Sequence, residues 1–343
     1  MEFHTERTPG VFMSLSNVNK FRYLFLPVLL LLFTACSSGG PNSDGGSSQR
    51  EYLSIGTAPP GGAFFVVGGA LAEVLNAQSQ ETWNVTAEAT SGSQENIRRL
   101  ETGELDFAIS NAAITYFAVR GTEGWDRAYP ARAVMTLAPN VTAFLTLANS
   151  DIKTLSDLKG HRVGIGPAGA GFEYFVRPLL AAHGVQLTDF TPLNATQSGA
   201  VDLLTDGAAD AVLLGGAVPT ASITQASASM DVYFIPYERE SVEELVNEYV
   251  FFDPATIPEN TYRGQDTAFD GLNVGSMHLI TSSNLDEEVV YRVTKTLYEN
   301  REQVVQRHAA GAAINSVNVV RDTGTEFHPG AIRFYREIGI WTD

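Results

Sequence analysis

The hydrophobic and polar pattern predicts a strand, a glycine-rich turn and a helix near the start of the patterned part of the chain. Residues 53–55 form a short apolar run, and two prolines and two glycines follow at 59–62. After them, apolar residues recur at helical spacing, namely Phe64, Phe65, Val67, Leu71 and Leu75. The first N–H groups of such a helix lack internal partners and favour an anion. The alternative interpretation is a tight structural turn with its aromatic residues in the core.

The same order of elements occurs a second time. Residues 163–165 predict a strand, 166–171 a glycine loop, and Phe172 begins a helix that Gly184 ends. Each copy continues with a strand ending in Thr and Ser. A shared Leu-x-x-Gly-x-x-Asp pattern comes next, at Leu100, Gly103 and Asp106 and again at Leu204, Gly207 and Asp210. The repeat predicts two Rossmann-like α/β lobes with parallel strands and right-handed crossovers.

Both glycine loops and both Thr/Ser turns fall at the carboxyl ends of predicted strands, where open parallel sheets bind ligands. Two facing lobes would line a cleft with helix N-termini from both sides, which suits a small anion. Ser91, Ser93 and Asn111 are candidates for ligand contact, although each fits a helix cap equally well.

The remaining pattern predicts a hinge. Residues 134–147 form two apolar runs, long enough to leave one lobe and enter the other, and 272–280 form a strand that returns. Two crossings between lobes favour hinge closure over a ligand. The pattern also predicts a surface helix at 151–160, a long loop at 251–266, and helices at 219 onward, 240–248, 285–308 and 329–338.

The N-terminal residues predict export. Lys20 and Arg22 precede an apolar run at 23–36 that ends in Cys36 and resembles a lipobox. We therefore expect 1–36 to be a lipoprotein signal peptide, Cys36 to carry the lipid, and 37–50 to be a flexible tether. An ordinary cleaved signal is the alternative, and Met13 is an alternative start. Cys36 is the only cysteine, so a disulfide framework is excluded.

The charged-residue composition limits the kinds of partner that the protein can bind. The chain has 22 Lys and Arg against 39 Asp and Glu, a net charge of −17. Nucleic acid is excluded because it requires a basic face. An anionic ligand would have to be captured by local dipoles and hydrogen bonds, because the overall field opposes its approach.

Catalytic and cofactor patterns are weak. Residues 164–169 spell GxGxxG, but the first glycine lies inside a predicted strand and Asp189 lies at the wrong end of the next one. The six histidines show no metal-ligand spacing, so we expect neither a cofactor nor a metal. A secreted enzyme acting on a small carboxylate is the alternative function, with Glu173 and His278 as its acid and base.

Four stretches resemble the TAXI family, the solute receptors of one branch of TRAP transporters. They are IGTAPPGGAFFVVGGALAEVLN, AEATSGSQENIRRLETGELDFAISNAAITYFAVRG, LKGHRVGIGPAGAGFEYFVRPLLAAHG and FHPGAIRFYREIG. The resemblance implies a monomeric periplasmic binding protein of type II, with lobe I at 51–142 plus 271–343 and lobe II at 143–270. It also implies delivery of a carboxylate, such as glutamate, glutamine or 2-oxoglutarate, to a sodium-coupled TRAP permease. A sensor for a membrane kinase would share every one of these features.

The resemblance also implies a set of ligand-binding positions. In the first lobe they are Thr57, Gly62, Ala63, Phe64, Ser91, Ser93 and Asn111, and in the second Ala168, Gly169, Ala170, Gly171, Phe172, Gly215 and Gly216. The family usually has tyrosine after its first glycine loop and a hydroxyl-bearing second loop, where this chain has Phe64-Phe65 and an Ala-Gly-Ala-Gly loop. The lost hydroxyls favour a dicarboxylate, an oxoacid or a less polar carboxylate over glutamine.

Overall fold

The computed structural model describes residues 51–79 and 82–342. The predicted signal peptide, its Cys36 and the tether lie outside these residues. The strands are β1 Glu51–Gly56, β2 Trp83–Glu88, β3 Phe107–Asn111, β4 Ala131–Thr136, β5 Val141–Leu147, β6 Arg162–Gly164, β7 Thr191–Leu193, β8 Ala211–Gly216, β9 Val232–Ile235, β10 Phe252–Ile257, β11 Phe269–Val274 and β12 Met277–Ser282. The helices are α1 Ala63–Gln78, α2 Ser93–Glu101, α3 Ala112–Arg120, α4 Glu173–Ala182, α5 Gln197–Thr205, α6 Ala221–Ser229, α7 Arg239–Glu248, α8 Glu287–Glu299, α9 Arg301–Arg307 and α10 Pro329–Glu337.

Two sheets carry the repeat in the same order. The first sheet runs β2-β1-β3-β12-β4, and the second runs β10-β11-β5-β8-β6-β7 with β9 also paired to β5. In both, the first strand of the repeat lies between its second and third strands and is parallel to them. The next strand outward is antiparallel, β12 beside β3 and β5 beside β8. The repeat is therefore confirmed, although both sheets are mixed rather than wholly parallel.

The chain passes twice between the sheets. The first passage is residues 137–140, between β4 and β5, and the second is Gly275 and Ser276, between β11 and β12. The two passages pair with each other, since the Leu137 N–H donates to the Met277 carbonyl and the Val274 N–H to the Asn140 carbonyl. The single strand predicted at 272–280 is wrong, because it breaks where Gly275 takes a φ of +108°.

Three other local predictions are corrected. The predicted loop at 251–266 contains β10, which pairs with all six residues of β11. Strand β10 lies at an edge of the sheet. Proline is tolerated there, because the N–H that Pro254 lacks is not needed to pair with a further strand. The predicted helix at 151–160 is one 3-10 turn, Leu155–Leu158, and the helix at 285–308 divides into α8 and α9 at Asn300.

Aromatic side chains join the two sheets on one side. Tyr174, on α4, stacks against Trp125 with ring centroids 5.6 Å apart and against Phe117 of α3 at 6.1 Å. Phe117 also packs edge-on to Phe251, at 5.6 Å. These contacts belong to one buried cluster that continues from α3 into the second sheet, so the sheets are packed together in this structure.

None of the helices within residues 51–79 and 82–342 has the length and apolarity to cross a bilayer.

Candidate functional site

A cavity lies between the two sheets, at the carboxyl ends of the strands that carry the repeat. Its volume is about 90 Å³. A single water molecule needs only about 10–15 Å³ of such space, so the cavity has room for a small molecule. Its lining is Ala58, Pro59, Pro60, Gly61, Gly62, Ala63, Phe64, Ser91, Gly92, Ser93, Asn111, Ile114, Asn140, Thr142, Pro167, Ala170, Phe172, Phe175, Thr196, Gln197, Ser198 and Gly215.

The cavity brings together part of the site that the sequence predicts. Both glycine turns reach it. Of the expected positions, Gly62, Ala63, Phe64, Ser91, Ser93, Asn111, Ala170, Phe172 and Gly215 line it. The others, Thr57, Ala168, Gly169, Gly171 and Gly216, do not.

The positions outside the lining have structural surroundings of their own. Thr57 is fully buried and its hydroxyl donates to the Glu88 carbonyl at 2.7 Å. Gly171 takes a φ of +90°, and a Cβ there would lie 3.0 Å from the Ile114 side chain. Gly216 lies beside Ala63 across the cleft, at 3.6 Å for an added Cβ. Gly171 thus allows the two halves of the molecule to approach closely, whereas a Cβ at Gly216 would make only an ordinary contact.

Three helices point their N-termini at the cavity without a side-chain cap. Gly62 precedes α1, Gly92 precedes α2, and Phe172 precedes α4, and each of the three lines the cavity. The first turn of α1 contains no acidic residue, whereas that of α4 contains Glu173. Open N–H groups at such positions bind carboxylate or phosphate.

The two serines do not cap α2. The Ser93 hydroxyl accepts a hydrogen bond from the Asn111 N–H at 3.0 Å, which ties α2 to the end of β3. The Ser91 N–H donates to the Glu95 carboxylate at 2.9 Å. Burial alone would raise the pKa of Glu95, but the hydrogen bonds from Ser91, assisted by Arg99, lower it overall.

Asn111 lines the cavity with a side chain that is already fully bonded. Its Oδ1 accepts from the N–H groups of Ala113 and Ile114, and this caps α3. Its Nδ2 donates to the Gly275 carbonyl at 2.9 Å and to that of Val274 at 3.3 Å. The Asn111 amide therefore fastens the second passage between the sheets, and the capping interpretation is the correct one.

The Thr/Ser turn of the second copy also reaches the cavity, through Thr196, Gln197 and Ser198. Gln197 Nε2 donates to the Gly215 carbonyl at 2.7 Å, and its Oε1 accepts from the Gly215 N–H at 3.1 Å. The Ser222 hydroxyl donates to the same Oε1 at 2.7 Å. These residues were absent from the predicted site, although they occupy the place in the repeat that Ser91–Ser93 hold in the first copy.

Asn140 and Thr142 reach the cavity from the first passage between the sheets. The Asn140 main chain is bonded, since its N–H donates to Asn273 Oδ1 at 3.0 Å. Its side-chain amide has no hydrogen-bond partner within the described part of the chain, although the residue is only 8% exposed. The sequence pattern treated this residue as a connection only.

The lining carries no charged side chain in the structure described. None of its residues is Asp, Glu, His, Lys or Arg. Residues 51–79 and 82–342 also contain no group of three His, Cys, Asp or Glu side chains placed to hold a metal ion.

The acid–base pair considered for an enzyme is not assembled. Neither Glu173 nor His278 lines the cavity. His278 is completely buried, with Nε2 2.8 Å from the Thr115 hydroxyl and Nδ1 without a partner. Burial lowers the pKa of His278 to about 3, so its ring is neutral at physiological pH.

Comparison with known proteins places this geometry in a family. Residues 55–339 match the NMT1-like family. The chain belongs to the NMT1-like family. The matched range contains every residue that lines the cavity, and both sheets apart from the first four residues of β1.

Solved structures agree on the architecture. A protein from Bordetella bronchiseptica RB50 matches at 13% identity over 86% of this chain and 90% of its own, with a TM-score of 0.51. A structure described as a periplasmic transporter matches at 12% identity over 84% and 92%, with a TM-score of 0.51. The aliphatic sulphonate-binding protein SsuA from Escherichia coli matches at 16% identity over 84% and 79%, with a TM-score of 0.44. At these identities the likeness concerns the fold alone, an α/β arrangement of two mixed sheets flanked by helices.

Proposed function

We propose that this chain is an extracytoplasmic solute-binding protein that captures a small carboxylate and delivers it to a TRAP-type sodium-coupled permease. One observation carries the proposal: a small cavity between two sheets is lined by uncapped helix N-termini from both of them. A carboxylate placed there would accept hydrogen bonds from main-chain N–H groups and lie at the positive ends of several helix dipoles.

The proposed movement is closure of two lobes, 51–142 plus 271–343 and 143–270, about the two passages between the sheets. The paired passages and the glycines at close approaches support it, because such elements absorb a hinge rotation. In the open form the ligand enters between the glycine turns, and in the closed form the Phe64 and Phe172 side chains exclude water from it.

The sequence resemblance to the TAXI family supports delivery to a TRAP permease, and the lipobox-like ending at Cys36 supports lipid anchoring. We therefore propose a periplasmic protein held at a membrane by its N-terminus. Membership of the NMT1-like family and the type II fold support the solute-binding part of this proposal.

Two measurements test the function. Isothermal titration of the purified protein with small carboxylates should give saturable binding, and the ligand should be recovered chemically unchanged. Transport of that ligand into proteoliposomes containing the large and small TRAP membrane subunits should require both this protein and a sodium gradient. Conversion of the ligand would instead support the enzyme, and binding without transport would support the sensor.

A further inference from the structure

The polar groups of the cavity differ in whether they are available to a ligand. The side chains of Ser93, Asn111 and Thr142 already bind other groups of the protein, Thr142 through the Tyr237 hydroxyl at 3.3 Å, whereas Ser91 is bonded through its main-chain N–H. In the second copy, Thr196, Gln197 and Ser198 are bonded to one another or to the main chain. Asn140 is only 8% exposed as a residue, lines the cavity, and has a side-chain amide that makes no hydrogen bond with the described part of the chain, so this amide is available to a ligand.

The cavity lining also limits the charges that a ligand can carry. The main-chain N–H groups at the starts of α1, α2 and α4 can satisfy one carboxylate. A second carboxylate would need a partner of its own, and the lining has no Lys, Arg or His to provide one. An ammonium group would likewise find no Asp or Glu among the lining residues. Burying an unpaired charge is strongly unfavourable.

The rest of the wall is apolar. Phe64, Ile114, Phe172 and Phe175 line the cavity together with the prolines of the first turn. Such a wall is suited to a hydrocarbon chain and offers nothing to a charged group.

From these three observations we infer that the ligand is a monocarboxylate with an apolar body and one neutral polar group, such as a 2-oxo or 2-hydroxy acid, and that Asn140 binds the neutral group. The Asn140 amide is both donor and acceptor, so it serves a carbonyl or a hydroxyl equally well. This inference rests on the proposed function and narrows it: dicarboxylates such as 2-oxoglutarate, and amino acids such as glutamate and glutamine, are poor ligands.

A series of matched ligands tests whether the cavity excludes a second carboxylate or an ammonium group. In 5-methyl-2-oxohexanoate, an isopropyl group replaces the terminal carboxylate of 2-oxoglutarate and preserves its shape. By isothermal titration at pH 7, we expect 5-methyl-2-oxohexanoate to bind at least about tenfold more tightly than 2-oxoglutarate. Its amino counterpart should also bind at least about tenfold more weakly than the oxo acid, because the added ammonium has no carboxylate partner. Equal or tighter binding of 2-oxoglutarate, glutamate or glutamine overturns the inference and leaves the proposed function standing. Failure of every carboxylate to bind contradicts both.

A variant tests whether the Asn140 amide binds the neutral polar group of the ligand. Asn140→Ala should weaken binding of 5-methyl-2-oxohexanoate roughly five- to tenfold, through loss of one hydrogen bond. Binding of 5-methylhexanoate, which lacks the oxo group, should change by less than about twofold. Asn84→Ala, on the exposed face of β2, is the matched control and should alter neither. An equal loss for both acids would mean that Asn140 acts on the structure rather than on the ligand, and would overturn its assigned role. If Asn140→Ala does not fold, the ligand series on the unmodified protein still tests whether the ligand carries a single charge.

Discussion

The two glycine turns occupy the same place in the repeat but differ in what they offer to a ligand. The first, residues 59–64, is open: an added Cβ at Gly61 or Gly62 would come no closer than 3.7 Å to any atom. The second, residues 166–172, is packed, with Gly166 against the Phe172 ring and Gly171 against Ile114. The start of α1 carries no acid, whereas the start of α4 carries Glu173. Repetition of a fold therefore does not imply repetition of its chemistry: the first turn is suited to donating hydrogen bonds and the second to shaping the wall.

The largest expected effect concerns the packed turn. Gly171→Ala places a Cβ 3.0 Å from Ile114, so the closed cleft becomes overpacked. Overpacking costs about 1–3 kcal/mol, and we expect ligand binding to weaken by roughly ten- to a hundredfold in isothermal titration. Gly169→Ala is the matched control, because Gly169 also has a positive φ but nothing lies within 4 Å of its added Cβ. If both variants bind alike, packing of the second turn does not control closure.

The Thr/Ser turns that follow the two glycine loops also differ in the hydrogen bonds that they make. A variant of Gln197 tests this difference. Gln197→Ala would leave the Gly215 N–H and carbonyl and the Ser222 hydroxyl unpaired. We expect the free energy of unfolding to fall by about 1–3 kcal/mol, measured by urea denaturation. Ser198→Ala, next to it, loses only a long contact with Thr196 and should change stability by less than about 0.5 kcal/mol. A loss for Gln197→Ala as small as that of Ser198→Ala would contradict its bracing role.

Two buried histidines, one in the first sheet and one beside the second, differ in how completely their ring nitrogens are hydrogen-bonded. His183, beside the second sheet, has both ring nitrogens bonded, to the Leu179 carbonyl and the Glu238 N–H. His278, in the first, has one nitrogen without a partner. Because burial lowers the folded-state pKa of His278 from 6.5 to about 3, the unfolded chain binds the extra proton. Its contribution to stability is complete above pH 6.5 and is lost progressively as the pH falls toward 3.

The measurement is the urea midpoint between pH 7 and pH 5. Each pH unit below 6.5 should cost up to about 1.4 kcal/mol from His278, or about 2 kcal/mol at pH 5. Burial also lowers the pKa of His308 and His328, so the readout is the difference between the unmodified protein and His278→Gln, which should have a shallower slope. Parallel slopes would show that the ring of His278 takes up a proton without unfolding.

The smallest expected effect is that of the acid in the second turn. Removing its charge in Glu173→Gln weakens favourable contact with the α4 dipole and lowers the free energy of unfolding by about 0.3–1 kcal/mol. The same change relieves repulsion of a bound anion, so affinity for a carboxylate should rise by about two- to fivefold. Glu240→Gln, in the first turn of α7, is the control that should lower stability alone. Unchanged affinity for Glu173→Gln would show that this charge does not act on a carboxylate held at the start of α1 or α2.

The sequence predicts the repeated strand, turn and helix units, because burial imposes the same pattern on each copy, but it does not predict the antiparallel strands β5 and β12 that make both sheets mixed. It could not separate capping from ligand binding at Asn111, because an asparagine at the end of a strand serves both purposes with the same local sequence. Strand β10 was missed because two prolines and polar residues hide a strand whose partner, β11, lies on the far side of a turn. The repeat places Gln197 in the position of the Ser91–Ser93 turn of the first copy, whereas the family resemblance implies no ligand contact at Gln197. Asn140 depended on pairing between two distant passages, which no local pattern records.

We propose that neutral main-chain groups between the two glycine turns bind the carboxylate, and a crystal structure of the protein with its tightest-binding carboxylate tests this binding mode. We expect carboxylate oxygens about 2.7–3.0 Å from main-chain nitrogens at the start of α1 or α2, with no arginine or lysine in contact. A carboxylate paired with an arginine, or bound outside the space between residues 59–64 and 166–172, would contradict it.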